Sequence, residues 1–287
     1  MPMPADLVGQ SGDPIVSEVD ARWTMAYAAG LGEIAPAYFD TEARSDVLAH
    51  PLFPVCFEWP VFLSERHLPT QGVLSPAERV RGVHATHDLQ LHRPLRAGTR
   101  VTTTATVVRV EARTPGAYQV IRLDSVDAES QPVSTTWYGT LYRGVEVEGE
   151  DRVLEDAEPL LSRADSAAAE AEFEFPLDAN AAHVYTECAR IWNPIHTDAA
   201  VAAAAGLPGI ILHGTATLAL GVSRAIDVAF GGEADEVGRI AGRFAAMVEL
   251  PSRVRIRIGT PTAEGVRFEV LNASGEPAVR DGLVALR

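Results

Sequence analysis

Tyr27-Ala-Ala-Gly-Leu-Gly-Glu33-Ile-Ala-Pro36-Ala-Tyr38-Phe-Asp40 lies without a gap on Tyr185 to Asp198, so that tyrosine, proline and aspartate each recur 158 positions later. Self-similarity at a fixed offset is the mark of a duplicated unit, and a duplicated unit restricts the fold to two copies of one plan. In this register Glu33 stands opposite Ile191, Tyr38 opposite His196, and Val55-Cys56 opposite His213-Gly214. A second echo follows in the same order: His92-Arg93-Pro94-Leu95-Arg96-Ala97-Gly98 ahead of Val101, and Leu250-Pro251-Ser252-Arg253 ahead of Val254. At 287 residues the chain is long enough for two such halves, expected over 1–145 and 172–287. The stretch 146–171, Ala-rich and acidic through Glu146, Glu148, Glu150, Asp151, Glu155, Asp156 and Glu158, reads as the linker between them.

Periodicity fills in each half. Ser17 to Gly32 reads as a short helix with Ser17 as N-cap, and Pro51 to His67 as an apolar helix interrupted at Pro60. The period then changes from helical to alternating over Val83–His92, Arg100–Val110, Ala117–Val126 and Val133–Tyr142, with Gly- and Pro-containing turns between the runs. The second half repeats the plan. Phe173 to Phe175 reads as a strand, Asn180 to Arg190 and Thr215 to Val228 as helices, and four strands follow near Arg239–Val248, Arg253–Gly259, Val266–Leu271 and Gly282–Leu286. Strand-rich and helix-rich runs in this order predict the α+β class, with antiparallel sheets carrying their helices on one face. A long helix wrapped by an antiparallel sheet is the hot-dog arrangement, and two in one chain make a double hot-dog.

Composition removes several function classes. A net charge of −15 and a pI near 4.9 leave no basic surface for nucleic acid. All 24 basic residues are arginine, so Schiff-base and lysine-dependent phosphate chemistry are excluded, and any phosphate must be held by Arg or by helix N-termini. Two cysteines, Cys56 and Cys188, make no disulfide framework, and Met-Pro-Met-Pro-Ala-Asp lacks the features of a signal peptide. A cytoplasmic setting is expected. Ala199 to Ser223 contains no charged side chain, but Gly206-Leu207-Pro208-Gly209 interrupts it, so a buried helix is expected there and no membrane span.

The most specific motif is Trp192-Asn193-Pro194-Ile195-His196-Thr197-Asp198, followed by Ile211-Leu212-His213-Gly214. It resembles the signature of the MaoC-like (R)-specific enoyl-CoA hydratases: a Tyr, a short helix, Gly-Asp-x-Asn-Pro-x-His-x-Asp, then Pro-Ile-x-His-Gly. Ile191 occupies the place of that family's catalytic Asp, and Arg190 the place of its Gly. The resemblance implies a double hot-dog enoyl-CoA hydratase or 3-hydroxyacyl-CoA dehydratase. It implies roles for His196 as acid/base, for Asn193 and Pro194 as shapers of the turn, and for Gly214 as a backbone donor to the thioester oxygen. Ile191, Trp192 and His213 fall beside the substrate in that scheme, and Asp198 caps the next helix. The substrate carrier is CoA or an acyl-carrier arm, with no cofactor, and a homodimer or heteromer is the expected assembly. With Ile191 in the acid position, a non-catalytic acyl-thioester-binding subunit and a hot-dog acyl-CoA thioesterase stand as alternatives.

Two carboxylates could replace the missing one: Glu187, one turn earlier on the preceding helix, and Glu33, in the duplicated position. His84, His87 and His92 fall on one strand, where alternation predicts His84 and His92 on one face and His87 on the other. His84 is expected to line the substrate tunnel. These histidines bring no carboxylate and third ligand with them, so no metal site is expected. Arg243, in Gly242-Arg243-Phe244, is a candidate contact for a CoA phosphate, with surface ion pairing the alternative.

Overall fold

The computed structural model describes residues 1–44, 46–155, 157 and 169–287. The first half contains β1 (Ile15–Val19), α1 (Ala21–Gly30), α2 (Pro54–Glu58), β2 (Gly82–Leu91), β3 (Thr99–Arg113), β4 (Gly116–Val126) and β5 (Pro132–Arg143). The second contains β6 (Ala171–Leu177), α3 (Ala181–Ala189), α4 (Gly214–Phe230), β7 (Val237–Phe244), β8 (Ser252–Ile258), β9 (Val266–Leu271) and β10 (Pro277–Leu286). These ten strands form one antiparallel path in the order β1-β3-β4-β5-β2-β7-β10-β9-β8-β6. Outward from the centre, each half runs second, fifth, fourth, third and first strand. The two second strands meet at the seam, Gln90 opposite Arg239 through Thr86 opposite Arg243. There the Asp88 carboxylate accepts from Arg239 Nε and Nη2 at 2.9 and 2.5 Å. The first echo lies between the first and second strands of each half, and the second echo in the connection from second to third strand.

The helices lie on one face of the sheet and share a single apolar core, with Phe53, Leu89, Tyr185, Leu218, Ile240 and Phe268 all within it. α1 packs on α3, with Tyr27 against Tyr185 and Gly30 against Cys188; a Cβ on Gly30 would stand 2.9 Å from the Cys188 Cβ. α4 runs for 17 residues along the second half's strands. A Cβ at its Gly221 would fall 2.3 Å from the Phe268 ring, so only glycine permits that approach. Both cysteines are free. No helix of the described residues is long and apolar enough to cross a membrane.

Several expectations need correction. Ser17 is not a helix cap. It lies in the edge strand β1, and the cap is Asp20, whose carboxylate accepts from Trp23 N at 2.8 Å. The helix expected over 51–67 is shorter: α2 has five residues and passes into a 3-10 turn over Trp59–Leu63, because Pro60 cannot donate to the next turn. Within 146–171, Val147–Glu148 pairs with Met3–Pro4 and Arg152–Val153 with β3. Asp156, Glu158 and the rest of 158–168 lie outside the described residues.

The face assignment of the histidines is also overturned. A bulge at Ala85 shifts the register between His84 opposite Thr140 and Thr86 opposite Gly139. One extra residue inverts the alternation. His84 and His87 therefore share a face, their rings 5.4 Å apart, while His92 stands exposed at the strand end with Nε2 3.0 Å from Thr135 Oγ1.

Candidate active site

α3 ends where Arg190 takes a left-handed conformation, φ 57° and ψ 34°, a position that ordinarily favours glycine. The guanidinium folds back over the Trp23 ring at 4.2 Å. The chain then makes the turn that presents His196. Asn193 Oδ1 accepts from Ile195 N at 3.4 Å, Pro194 opens the 3-10 turn, and Asp198 accepts from Ala200 N at 2.8 Å to start the following helix.

His196 is buried, with its Nδ1 2.8 Å from the Ile211 carbonyl. A carbonyl can only accept, so Nδ1 carries the proton and the lone pair of the neutral ring sits on Nε2. Burial pushes the imidazole down to about 4, partly opposed by the bond to Ile211. The His213 ring stacks on it, centroids 3.7 Å apart. His213 is itself held by Thr186, whose Oγ1 lies 3.2 Å from Nε2. Burial first, and the neighbouring His196 second, lower its affinity for a proton.

His213 is also the N-cap residue of α4, so the stacked pair stands at the start of that helix, where Gly214 follows. The first amides of a helix have no partner in its own hydrogen-bond ladder and lie at its positive end. Phe244 closes this corner, its Cδ1 3.0 Å from where a Gly214 Cβ would be. Tyr185 completes the surroundings, donating to Thr215 Oγ1 at 3.0 Å. His196, His213 and Gly214 thus come together at the start of α4.

Ile191 adjoins the pair through its backbone, which lies beside His213, while its side chain, 5 % exposed, belongs to the apolar core. Trp192 is 56 % exposed and forms a wall of two hollows. One, of about 260 Å³, also contains Glu187, His183, Thr186 and Pro194. The other, of about 350 Å³, lies between the halves, beside Trp23, Cys56 and Arg190.

Glu33 does not complete the His196 site. Its carboxylate bonds Ser223, and burial raises its pKa. Ser223 is nine residues along α4 from Gly214, roughly 13 Å of helix rise. Arg243 pairs with Asp281 at 3.2 Å, which favours its ion-pair role over a phosphate contact. His84 reaches the site indirectly, its ring 4.4 Å from that of Phe244. Among the described residues no group of three His, Cys, Asp or Glu side chains is placed to hold a metal ion.

Thr186, Thr215 and Phe244 escaped the sequence reading. Phe244 had a signal, since it adjoins the Gly242-Arg243 pair; the threonines had none apart from standing one residue from Tyr185 and Gly214.

Residues 166–273 match the family described as MaoC like domain, and residues 6–135 match the FAS1-like dehydratase region. The fold is similar to that of a MaoC-like dehydratase from Phytophthora capsici, at TM-score 0.81 and 20 % identity, over 98 % of this chain and 96 % of that one. It is similar also to a Mycobacterium tuberculosis protein with a double hotdog fold, at TM-score 0.62 and 16 % identity, over 97 % and 96 % of the two chains. In sequence, a UPF0336 protein of Saccharopolyspora erythraea is 27 % identical over 159 residues, 53 % of this chain and 99 % of that one. The second half of the chain thus matches a MaoC-like domain and the first half a FAS1-like dehydratase region, joined in one double hot-dog fold.

Proposed function

We propose that the protein hydrates 2-enoyl thioesters, or dehydrates the corresponding 3-hydroxyacyl thioesters, at the start of α4. The observation that carries this reading is the neutral His196, with Nδ1 engaged by Ile211, beside the amide end of α4. In hydration, Nε2 takes a proton from water as the water oxygen bonds to C3 of the enoyl group. The C2–C3 π pair becomes the C1–C2 bond of an enolate as the carbonyl pair moves onto the thioester oxygen, where the Gly214 amide stabilises the charge, and the His196 imidazolium then returns its proton to C2. Dehydration is the reverse. The reaction needs no cofactor beyond the CoA or acyl-carrier arm of the substrate.

A second reading, an acyl-thioester-binding subunit without turnover, is favoured by one observation: Ile191 is packed into the core where a carboxylate is called for. A panel of 2-enoyl-CoA esters, followed by loss of enoyl absorbance with and without His196→Ala, separates the two. Turnover that His196→Ala removes supports the hydratase; tight binding with no turnover supports the binding subunit.

A further inference from the structure

Phe244 connects the Gly214 end of α4 to a pair of histidines, His87 buried and His84 half-buried. Its ring covers Gly214 on one side and lies 4.4 Å from His84 on the other. The bulge at Ala85 brings His87 alongside His84, and His84 stacks on Tyr138 with centroids 3.6 Å apart. Strand pairing sets His87 between Tyr138 and Gly242. This is the first half's side of the seam, where α2 supplies five residues of helix against the 17 of α4.

The polar atoms here are left open. His87 has no exposed surface, and among the described residues neither of its ring nitrogens has a hydrogen-bond partner; the same holds for His84 Nε2. Glu58, the nearby buried carboxyl, is already bonded by Thr136 Oγ1 at 2.6 Å. Buried nitrogens without partners cost stability that a leucine or phenylalanine would not. Their chemistry specifies what would satisfy them. Burial keeps both rings neutral. Each neutral ring offers one donor and one acceptor. A hydroxyl, which donates and accepts, can pair with both. A keto oxygen can only accept, and an alkyl chain does neither.

We propose that the acyl group taken by this protein carries a hydroxyl beyond its reacting carbons, and that His84 and His87 bind that hydroxyl as the pair setting specificity, with Phe244 as the wall between it and the thioester. This rests on the acyl-thioester reading of the His196 site.

The test is calorimetric titration of the full chain with a length series of saturated acyl-CoA esters, which cannot be hydrated, ending in a hydroxyl, a methyl ketone or a plain alkyl group. At the best length the hydroxylated ester should bind about tenfold tighter than its alkyl counterpart. His87→Leu and His84→Phe should each remove that preference, and His87→Leu should hold or raise the melting temperature because it removes unpaired buried nitrogens. Equal or tighter binding of the alkyl ester by the unaltered protein overturns the inference and leaves the thioester reading standing. Failure of every ester to bind overturns both. Retention of the preference in either folded variant also overturns the inference, and if His87→Leu does not fold, His84→Phe decides alone.

Discussion

Tyr27 and Tyr185, 158 residues apart, meet hydroxyl to hydroxyl at 3.4 Å, each touching its own counterpart in the duplication. The pair marks the contact between α1 and α3, the first helix of each half. Tyr185 gives its proton to Thr215, so Tyr27 is the donor in the tyrosine pair. Both rings are fully or almost fully buried, and burial raises both phenols well above their usual range.

Tyr185→Phe should destabilise the protein by about 1–3 kcal/mol, since it leaves the Tyr27 hydroxyl buried without its acceptor. Tyr27→Phe should cost less, because Tyr185 still donates to Thr215. The double variant should cost less than the sum of the two. Denaturant unfolding of the four proteins gives the coupling, and strict additivity would show that the hydroxyls do not interact.

The duplication made the repeated topology legible, because alternation locates a half-buried strand wherever one face is apolar. β9 matches its expected bounds, and β2, β4 and β5 fall within one residue of theirs at either end. What escaped was set by packing. β1 reads Ile-Val-Ser-Glu-Val, too short to stand out ahead of a helix, and the Ala85 bulge exists only as register against β5. In the site, His50 was missed for a different reason. Its ring packs 5.7 Å from Tyr27 and 6.0 Å from Tyr38, much as His213 packs against Tyr185 and His196. His50 thus occupies the place of His213, but five residues out of the gapless register, so alignment hides it.

His50 also shows why Ser223 is not a nucleophile. The Leu52 amide donates to His50 Nδ1 at 3.1 Å, so the proton of the neutral ring is on Nε2, which donates to Ser223 Oγ at 3.2 Å. The serine proton is left for Glu33. Glu33→Gln should therefore lower stability modestly, by about 1 kcal/mol, and leave turnover at His196 within about twofold. A loss of turnover comparable to that of His196→Ala would place Glu33 in the reacting site after all.

Stability should depend on pH in two opposed windows. Burial lowers His50 and His87 from 6.5 to about 3, and His196 from 6.5 to about 4. The unfolded chain then binds more protons than the fold, so this contribution is complete above 6.5 and is lost as pH falls toward those values. Glu58 is opposite: burial raises it from 4.5 to about 8, so its contribution is complete below 4.5 and is lost as pH rises through about 8. Melting temperatures from acid to alkaline pH should decline at both ends. Glu58→Gln should flatten the alkaline decline alone, and an unchanged alkaline limb would show that Glu58 ionises freely in the fold.

Ile191 decides how much catalysis the site can deliver. It stands where the motif calls for a carboxylate and is packed in the core, while Glu187 faces an open hollow and Glu33 bonds to Ser223, roughly 13 Å of helix rise along α4 from Gly214. If a missing acid limits the reaction, Ile191→Asp should raise crotonyl-CoA hydration by up to about 10²- to 10⁴-fold, the usual contribution of a positioned acid/base. The substitution should also cost stability, on the order of 2–4 kcal/mol, because it exchanges a packed alkyl group for a buried carboxyl. Burial raises the pKa of such a carboxyl, so the gain should grow with pH until it ionises. A folded Ile191→Asp protein that still binds CoA esters, yet gains no turnover across that range, would favour the binding-subunit reading. A gain that disappears when His196→Ala is added would instead place Asp and His in one reacting unit.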